Sequence, residues 1–573
     1  MPIRKIQSLV GGAGNGKPVK VINIGGTTTV TGNITAYECG DEIIVVDCGI
    51  GFPDSDMPGV DVVIPDFTYL VKNKEKVKGV LITHAHEDHF GAVPYLLKEL
   101  DTPIYSSKLV LGFVKSRLKD RGSKQMADSA KLIEFSPESK ELSLGNNFKI
   151  RAFGMNHSVP ASMGFEIRTP QGLICHISDF KIDWTPVLDK PLDLGRIAQL
   201  GDEGILCLMS DCLGVTHEGY SESEGQLGAT FDTLFDKAEN RQIMVTTISS
   251  NISRMSQIID SAIKHNRKIV LAGRSIMQSV EIAQSLGYLK FDPNIFLSDK
   301  QAKKYLQKDL LYIVAGCYGQ TNSALAKIAR KEHRFLEIED NAMVIFSADP
   351  NPPGTLEDVN KVQDQLTLDG AEVIYSEIQD NLHVSGHGTR GDIMTIAAVA
   401  KPKYFIPLGG TITKMHEYKH MVGELGFDSE NVFEQLDGDT VIFEGGEAHK
   451  GDTIPIKAVL AEGMQASEVQ PIVVKDRELL SNEGVFVIIV PRSEKTKEVV
   501  GKVDIVTRGF IYVKEAGELV GEAKTIVNKL LSKHADKKDD WGFVKSRIEK
   551  DIERFLQKKT SRRPMVVVHS VQV

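Results

Sequence analysis

The stretch 82–92, ITHAHEDHFGA, decides how this chain reads. It closes a β-branched run, Val77 to Thr83, that reads as a strand, and it sets His84, His86, Asp88 and His89 within six residues. On the turn after a strand, His84 and His86 can face one ion while Asp88 and His89 turn to a second. Imidazole with some carboxylate is the donor set that zinc prefers. A chance or structural clustering of histidines is the plainer alternative, and so dense a set of donors weighs against it.

Further donors stand where strands end. His157 follows RAFGMN, and Asp179 closes LICHISDF, from where it could bridge two ions. A lone strand-end histidine is more often a packed residue, but the neighbouring cluster raises His157 above that reading. Asp47, in IIVVDCG, fits either a turn residue or a partner that orients a histidine, and the second role is preferred.

Around this cluster the first module is strand-rich, with runs Glu42 to Asp47, Val77 to Thr83, Lys149 to Phe153 and Gly172 to Ser178 and a helix Ala92 to Leu100. From about Glu222 the rhythm changes to apolar strands alternating with helices: Gln242 to Ile248, Ser253 to His265, Lys268 to Ala272, Leu311 to Ala315, Met343 to Ser347 and Val373 to Ser376. Such alternation predicts a parallel, helix-covered sheet. The loop NLHVSGHGTRGD, 381–392, then leads to the strand Lys403 to Leu408 in the style of the first module, so the middle reads as an insertion. A third αβ unit follows, with strands Val485 to Val490, Phe510 to Val513 and Met565 to Val573 and amphipathic helices Ala516 to Leu531 and Gly542 to Leu556. The lysine-rich stretch Lys533 to Lys538 reads as a solvated helix end.

The bulk composition bounds the partners. A length of 573 residues with 41% hydrophobic content suggests three or four modules. A net charge of −9 argues against coating nucleic acid by overall basicity, so any nucleic-acid contact is local. The start, MPIRKIQSLVGGAGNG, is polar and glycine-rich, and no run is long and apolar enough to span a membrane. The six cysteines include no CxxC pair and read as reduced, buried thiols. A cytoplasmic protein without membrane contact is expected.

HAHEDH with Asp47, His157 and Asp179 resembles the metallo-β-lactamase superfamily, an αββα sandwich with metals at one edge of its sheets. Asp211 in LMSDCLG, the inserted αβ domain and HVSGHG at 383–388 resemble its β-CASP branch, whose members cut nucleic acids. DEIIVVDCGIGFPD, LITHAHEDHFGAVPYLL, GRSI, KPKYFIP, RGFIYV and RRPM resemble ribonuclease J over nearly the whole chain.

That resemblance implies a metallo-β-lactamase domain at 1–212 and 388–452, a β-CASP domain at 213–387, a linker at 453–468 and a C-terminal αβ domain at 469–573. It implies two zinc ions per subunit, held by His84, His86, Asp88, His89, His157 and Asp179, with manganese as the alternative. These would supply the hydroxide for attack on a phosphodiester. Asp88, Asp211 and His387 are then the catalytic candidates, the last two orienting and protonating the departing 3′ oxygen. His383, Ser385, Asn251 and Arg274 are the candidates for RNA contact. The implied substrate is single-stranded RNA, cut 5′ to 3′ and internally, by a homodimer, a homotetramer or a hetero-oligomer with a paralogue.

The chain also departs from the pattern. Gly409, in KPKYFIPLGGTITKMHEY, stands where the family carries a histidine that completes the second metal position, leaving Asp88, His89 and Asp179 there. His416 is the nearby histidine in sequence. Ile177 and Ser178 replace a usual threonine–glycine, Cys317 a serine and Ser253 a histidine. A weakened, RNA-binding subunit is therefore the competing reading, and a small-molecule hydrolase would leave the insertion and HVSGHG without a task.

Overall fold

The computed structural model describes residues 16–28, 30–54, 56–349, 355–462, 467–511, 517–535 and 540–573. Two compact units emerge, one of Val62–Val459 with the described residues up to Phe52, the other of Pro53–Asp61 with Leu460–Val573.

The first unit is built on two sheets stacked face to face. One runs in the order Glu447–Lys450, Thr440–Glu444, Val19–Gly25, Ile34–Cys39, Glu42–Val46, Val77–Leu81, Ile104–Ser106, Leu132–Glu134. The other runs Tyr404–Leu408, Ile205–Asp211, Gly172–Ile177, Met163–Thr169, Phe148–Gly154, Leu142–Leu144. The strand period of two sorts the side chains: Ile44 and Val46 enter the core between the sheets with Phe148, Ile150, Phe165, Cys207 and Ile406. Cys175, Ile177, Leu208 and Phe405 face the other way. They pack under the helices Leu194–Glu203, Arg390–Ala400 and Ile412–Glu424 through Ile197, Ile393, Ile396, Met415 and Tyr418. Burial on both faces explains why these strands read as nearly continuous apolar runs.

Between Asp211 and the return strand Tyr404–Leu408 lies a five-stranded sheet in the order Lys268–Ala272, Leu310–Val314, Ile243–Thr247, Met343–Ser347, Glu372–Ile374, parallel throughout. The alternating pattern predicted this, because parallel neighbours need crossover helices such as Ile252–Lys264. An αββα sandwich carrying an inserted parallel α/β sheet is thus the architecture, as the sequence indicated.

In the second unit, Val485–Arg492 pairs antiparallel with Asp504–Arg508 and parallel with Met565–Gln572. Phe486, Ile488 and Val490 bury against Val527, Val544, Ile548 and Ile552 of the helices Gly517–Lys533 and Trp541–Thr560. The strand expected at Phe510 to Val513 is corrected: the strand is Asp504–Arg508, and Gly509, at φ +68°, turns the chain out of it. Residues 512–513 lie outside the described residues, as do Ala516, 536–538 of the lysine-rich stretch, the first fifteen residues and 463–466 of the expected linker. On either side of 463–466, Val459–Glu462 and Ser467–Glu468 form an antiparallel pair. All six cysteines are buried and unpaired. Among the described residues no helix is long and apolar enough to cross a membrane.

Candidate metal centre

The donors collect at the carboxyl ends of parallel strands, the position at which open sheets place their chemistry. Glu42–Val46 pairs parallel with Val77–Leu81, and Asp47 and the 82–89 turn follow them directly. Gly172–Ile177, Ile205–Asp211 and Tyr404–Leu408 are parallel neighbours in the facing sheet, and Asp179, Asp211 and Gly409 stand at or just beyond their ends.

His84, His86, His157 and Asp179 each offer a donor atom within 4.8 Å of the others. His84 Nε2 and His157 Nε2 each lie 3.1 Å from His86 Nδ1, and Asp179 Oδ2 is 3.7 Å from His84 Nε2 and 3.8 Å from His157 Nε2. For two of the rings the far side fixes which nitrogen is protonated. Thr83 donates its hydroxyl to Asp47 at 2.9 Å, so it accepts from His84 Nδ1–H, also at 2.9 Å. His157 Nδ1–H donates to the carbonyl of Gly386 at 2.6 Å, while His86 Nε2 meets the Ser158 hydroxyl, which can donate or accept, at 3.2 Å. The Nε2 lone pairs of His84 and His157 are thereby aimed at the His86 ring, beside a carboxylate. Burial pushes His86 down to about 3 and drives His84 and His157 well below the usual imidazole range, so all three rings are neutral. A neutral imidazole oriented by a partner on its other nitrogen is the form that ligates a cation, and this donor set fits a divalent metal.

A second group of donors, Asp179, Asp211 and His387, adjoins the first. His387 Nδ1 pairs with Asp211 Oδ2 at 2.6 Å, and its Nε2 faces Asp179 Oδ2 at 3.9 Å. Burial works against charging this ring, but Asp211 and Asp179 outweigh it and raise His387 to about 9.

Asp88 and His89 belong to neither group among the described residues. His89 Nδ1 meets Asp47 Oδ2 at 2.8 Å, and its Nε2 lies 3.3 Å from Asp179 Oδ2, 3.6 Å from Asp88 Oδ2 and 3.1 Å from the Asn33 amide nitrogen. Burial raises Asp88 to about 6. Asp47 orients both the 82–89 turn and His89: it accepts from the Thr83 backbone N–H at 2.8 Å, from an unusual φ of +64°. Gly409 also has φ +64°, and a Cβ placed on it would stand 3.7 Å from both Asp179 Oδ1 and Asp211 Oδ1, so this glycine leaves space beside the two carboxylates. His416 is exposed, paired with Glu434 at 3.2 Å and set edge-on to His420.

Of the candidates for RNA contact, Ser385 is exposed and accepts from the His387 N–H at 3.1 Å. Asn251 caps the helix Ile252–Lys264 by accepting from the Arg254 N–H at 2.9 Å, and its own amide nitrogen is buried without a partner among the described residues. Arg274 is exposed at the start of the helix Arg274–Ser285. His383 is half-buried against Arg254. The sequence reading missed Arg254, and it also missed Ser158 and Gly386. Only a glycine fits at 386, where a Cβ would lie 2.7 Å from His157 Cε1.

Three family models match the chain: the metallo-β-lactamase superfamily over residues 27–157, the ribonuclease J β-CASP domain over 240–366 and the ribonuclease J C-terminal domain over 472–573. Ribonuclease J2 of Bacillus subtilis is 32% identical over 554 residues, covering 96% of this chain and 98% of that protein. The chain belongs to the ribonuclease J family. Ribonuclease J 1 of Streptococcus pyogenes is 33% identical, with 96% and 97% covered, and ribonuclease J of Helicobacter pylori 34% identical, with 96% and 79% covered. A crystal structure of a protein of unknown function from Enterococcus faecalis V583 matches at a TM-score of 0.51 and 16% identity over 74% of this chain and all of that one, a likeness of fold. As a ribonuclease J family member with metallo-β-lactamase and β-CASP domains, the chain is a metal-dependent nuclease of the hydrolase class.

Proposed function

We propose that the chain hydrolyses phosphodiester bonds of single-stranded RNA, proceeding 5′ to 3′ from monophosphorylated ends and cutting internally, in RNA processing and decay. The convergence of three neutral imidazoles on the Asp179 carboxylate carries this reading, and the relatives' names support RNA as substrate. Zinc is the preferred ion, because imidazoles with a carboxylate are the donor set it takes. Manganese is the alternative. A divalent ion held there supplies Lewis acidity and a water that ionises near neutral pH.

The chain's own residues do the rest. The His387–Asp211 pair holds a proton on His387 Nε2, suited to donation to the departing 3′ oxygen. His383, Ser385, Asn251 and Arg274 take the RNA backbone. Asp88 and His89, with Asp179, hold a second ion more weakly than the first, because Gly409 contributes no ligand. The domain limits in this reading are 1–212 with 388–452, 213–387 and 469–573, the last supporting a homodimer, a homotetramer or pairing with a paralogue. The six unpaired thiols fit the reducing cytoplasm.

The test is digestion of 5′-labelled, monophosphorylated single-stranded RNA alongside a measurement of bound metal. The expected result is cleavage to products with 5′ phosphates and at least one tightly held ion per chain. RNA left intact with zinc or manganese present overturns the reading. Intact RNA bound by a chain holding no stoichiometric ion supports instead an RNA-binding subunit of an active paralogue, the reading that Gly409 favours.

A further inference from the structure

Arg254 has 0% exposure, although it carries a permanent charge. Its Nε and Nη2 grip the two carboxylate oxygens of Glu224 at 2.9 and 2.8 Å. The remaining donors all reach toward one segment and the strand end beside it: Nη2 donates to the Val384 carbonyl at 3.1 Å, and Nη1 to the Ser347 carbonyl at 3.2 Å and to His383 Nδ1 at 3.0 Å. Ser347, at the end of its strand, donates its hydroxyl to the Leu382 carbonyl at 2.6 Å. The helix Ile252–Lys264 and the strand Met343–Ser347 therefore grip residues 382–384. Two and three residues on, the same loop is gripped by the metal centre, where the Gly386 carbonyl accepts from His157 and His387 pairs with Asp211.

This arrangement dictates the state of His383. A guanidinium has donors and no acceptor, so His383 Nδ1 must accept, and the proton of the neutral ring sits on Nε2. Nε2 makes no hydrogen bond with any described residue, which leaves an N–H free for an outside acceptor. Burial and the adjacent Arg254 hold the ring well below the usual imidazole range, so it stays a neutral donor.

We propose that Arg254, seated by Glu224, is a positioning residue. It presents His383, without touching RNA itself, as the tautomer whose Nε2–H donates to an anionic oxygen of the RNA backbone. The proposal rests on the ribonuclease reading. A stability role alone accounts poorly for the arrangement, since a buried ion pair can often be replaced by apolar residues at no loss of stability. Every guanidinium bond Arg254 makes beyond Glu224 goes to this loop or to Ser347, which itself holds it.

The test compares steady-state cleavage of a monophosphorylated single-stranded RNA by the full chain and four variants: Glu224→Leu/Arg254→Met, which strands no buried charge, His383→Ala, the triple combination, and Arg254→Lys. Loss of a charge-assisted contact predicts that KM rises about tenfold in each of the first two, with a smaller change in kcat. Because both act through one imidazole, the triple variant should match them rather than multiply their effects. Arg254→Lys, which keeps the charge but cannot fork, should share the raised KM. An unchanged KM in Glu224→Leu/Arg254→Met, multiplied effects in the triple variant, or a wild-type KM in Arg254→Lys overturns the proposal. Those failures occur in a chain that cleaves RNA, whereas a wild-type chain that leaves RNA uncut removes the ribonuclease reading and this inference with it.

Discussion

On one side of Asp179 stand His84, His86 and His157; on the other stand Asp211 and His387. The residue types are the same, and the partners behind them differ. The three histidines of the first group lean on a threonine hydroxyl, a serine hydroxyl and a backbone carbonyl, none charged, so burial leaves them neutral. His387 leans on a carboxylate, which outweighs burial and keeps it charged. A buried histidine is thus committed to ligation or to proton transfer by whatever touches its other nitrogen. One cleft can hold both kinds while sharing a single aspartate.

The most severe way to break this comparison is to remove a ligand from the first group. His157→Ala takes away one of four donors, and activity should fall by roughly a thousandfold or more together with bound metal, measured by elemental analysis after desalting. A chain that keeps its ion after this change would place the metal elsewhere. Asp211→Asn should act differently. It deprives His387 of the carboxylate that raises it, so kcat should fall by about 10²–10⁴ while bound metal stays at the wild-type level. The sign of the pH effect follows: an acid works while protonated, below its pKa, and lowering that pKa moves the high-pH decline in kcat to lower pH. If Asp211→Asn instead loses metal as His157→Ala does, the second group holds an ion too and the contrast fails.

Much of this was readable in the sequence because it is local. The HxHxDH turn is contiguous, and Asp179 and Asp211 terminate apolar runs whose strand character is plain. What was hidden depends on pairings across the fold. Arg254 and Glu224 are thirty residues apart, each unremarkable on a helix or turn, and only the packing of the insertion brings both beneath the 382–387 loop. Thr83 adjoins His84 in sequence, yet its role needs Asp47 in a left-handed backbone conformation that no pattern announces. The misplaced strand has a similar cause. Asp504–Arg508 and Phe510 onward are both β-branched or aromatic, and pairing with Val485–Arg492 selects the first, while Phe510 packs edge-on against Phe486 at 6.2 Å from beyond the turn. Pro53–Asp61 shows no periodicity, and its place in the second unit comes from Met57 and Val60 burying against Val469 and Val474.

Gly409 gives the finest test of the contrast, since it borders Asp211 and the shared Asp179 and none of the three histidines of the first group. Two effects meet there. Any side chain must adopt φ +64°, a left-handed conformation costing about 1–2 kcal/mol for an ordinary residue. A Cβ would meet only ordinary contacts, 3.7 Å from Asp179 and Asp211. Gly409→Ala incurs the backbone cost and adds no donor, so its melting temperature should drop by about 1–2 °C with metal content unchanged. Gly409→His incurs the same cost but places an imidazole beside two carboxylates, so a second ion should bind about tenfold more tightly in a calorimetric titration. Equal ion binding by the two variants would mean that His387, already paired with Asp211, keeps these carboxylates from serving a cation, and that the divide at Asp179 is set by charge rather than by a missing ligand.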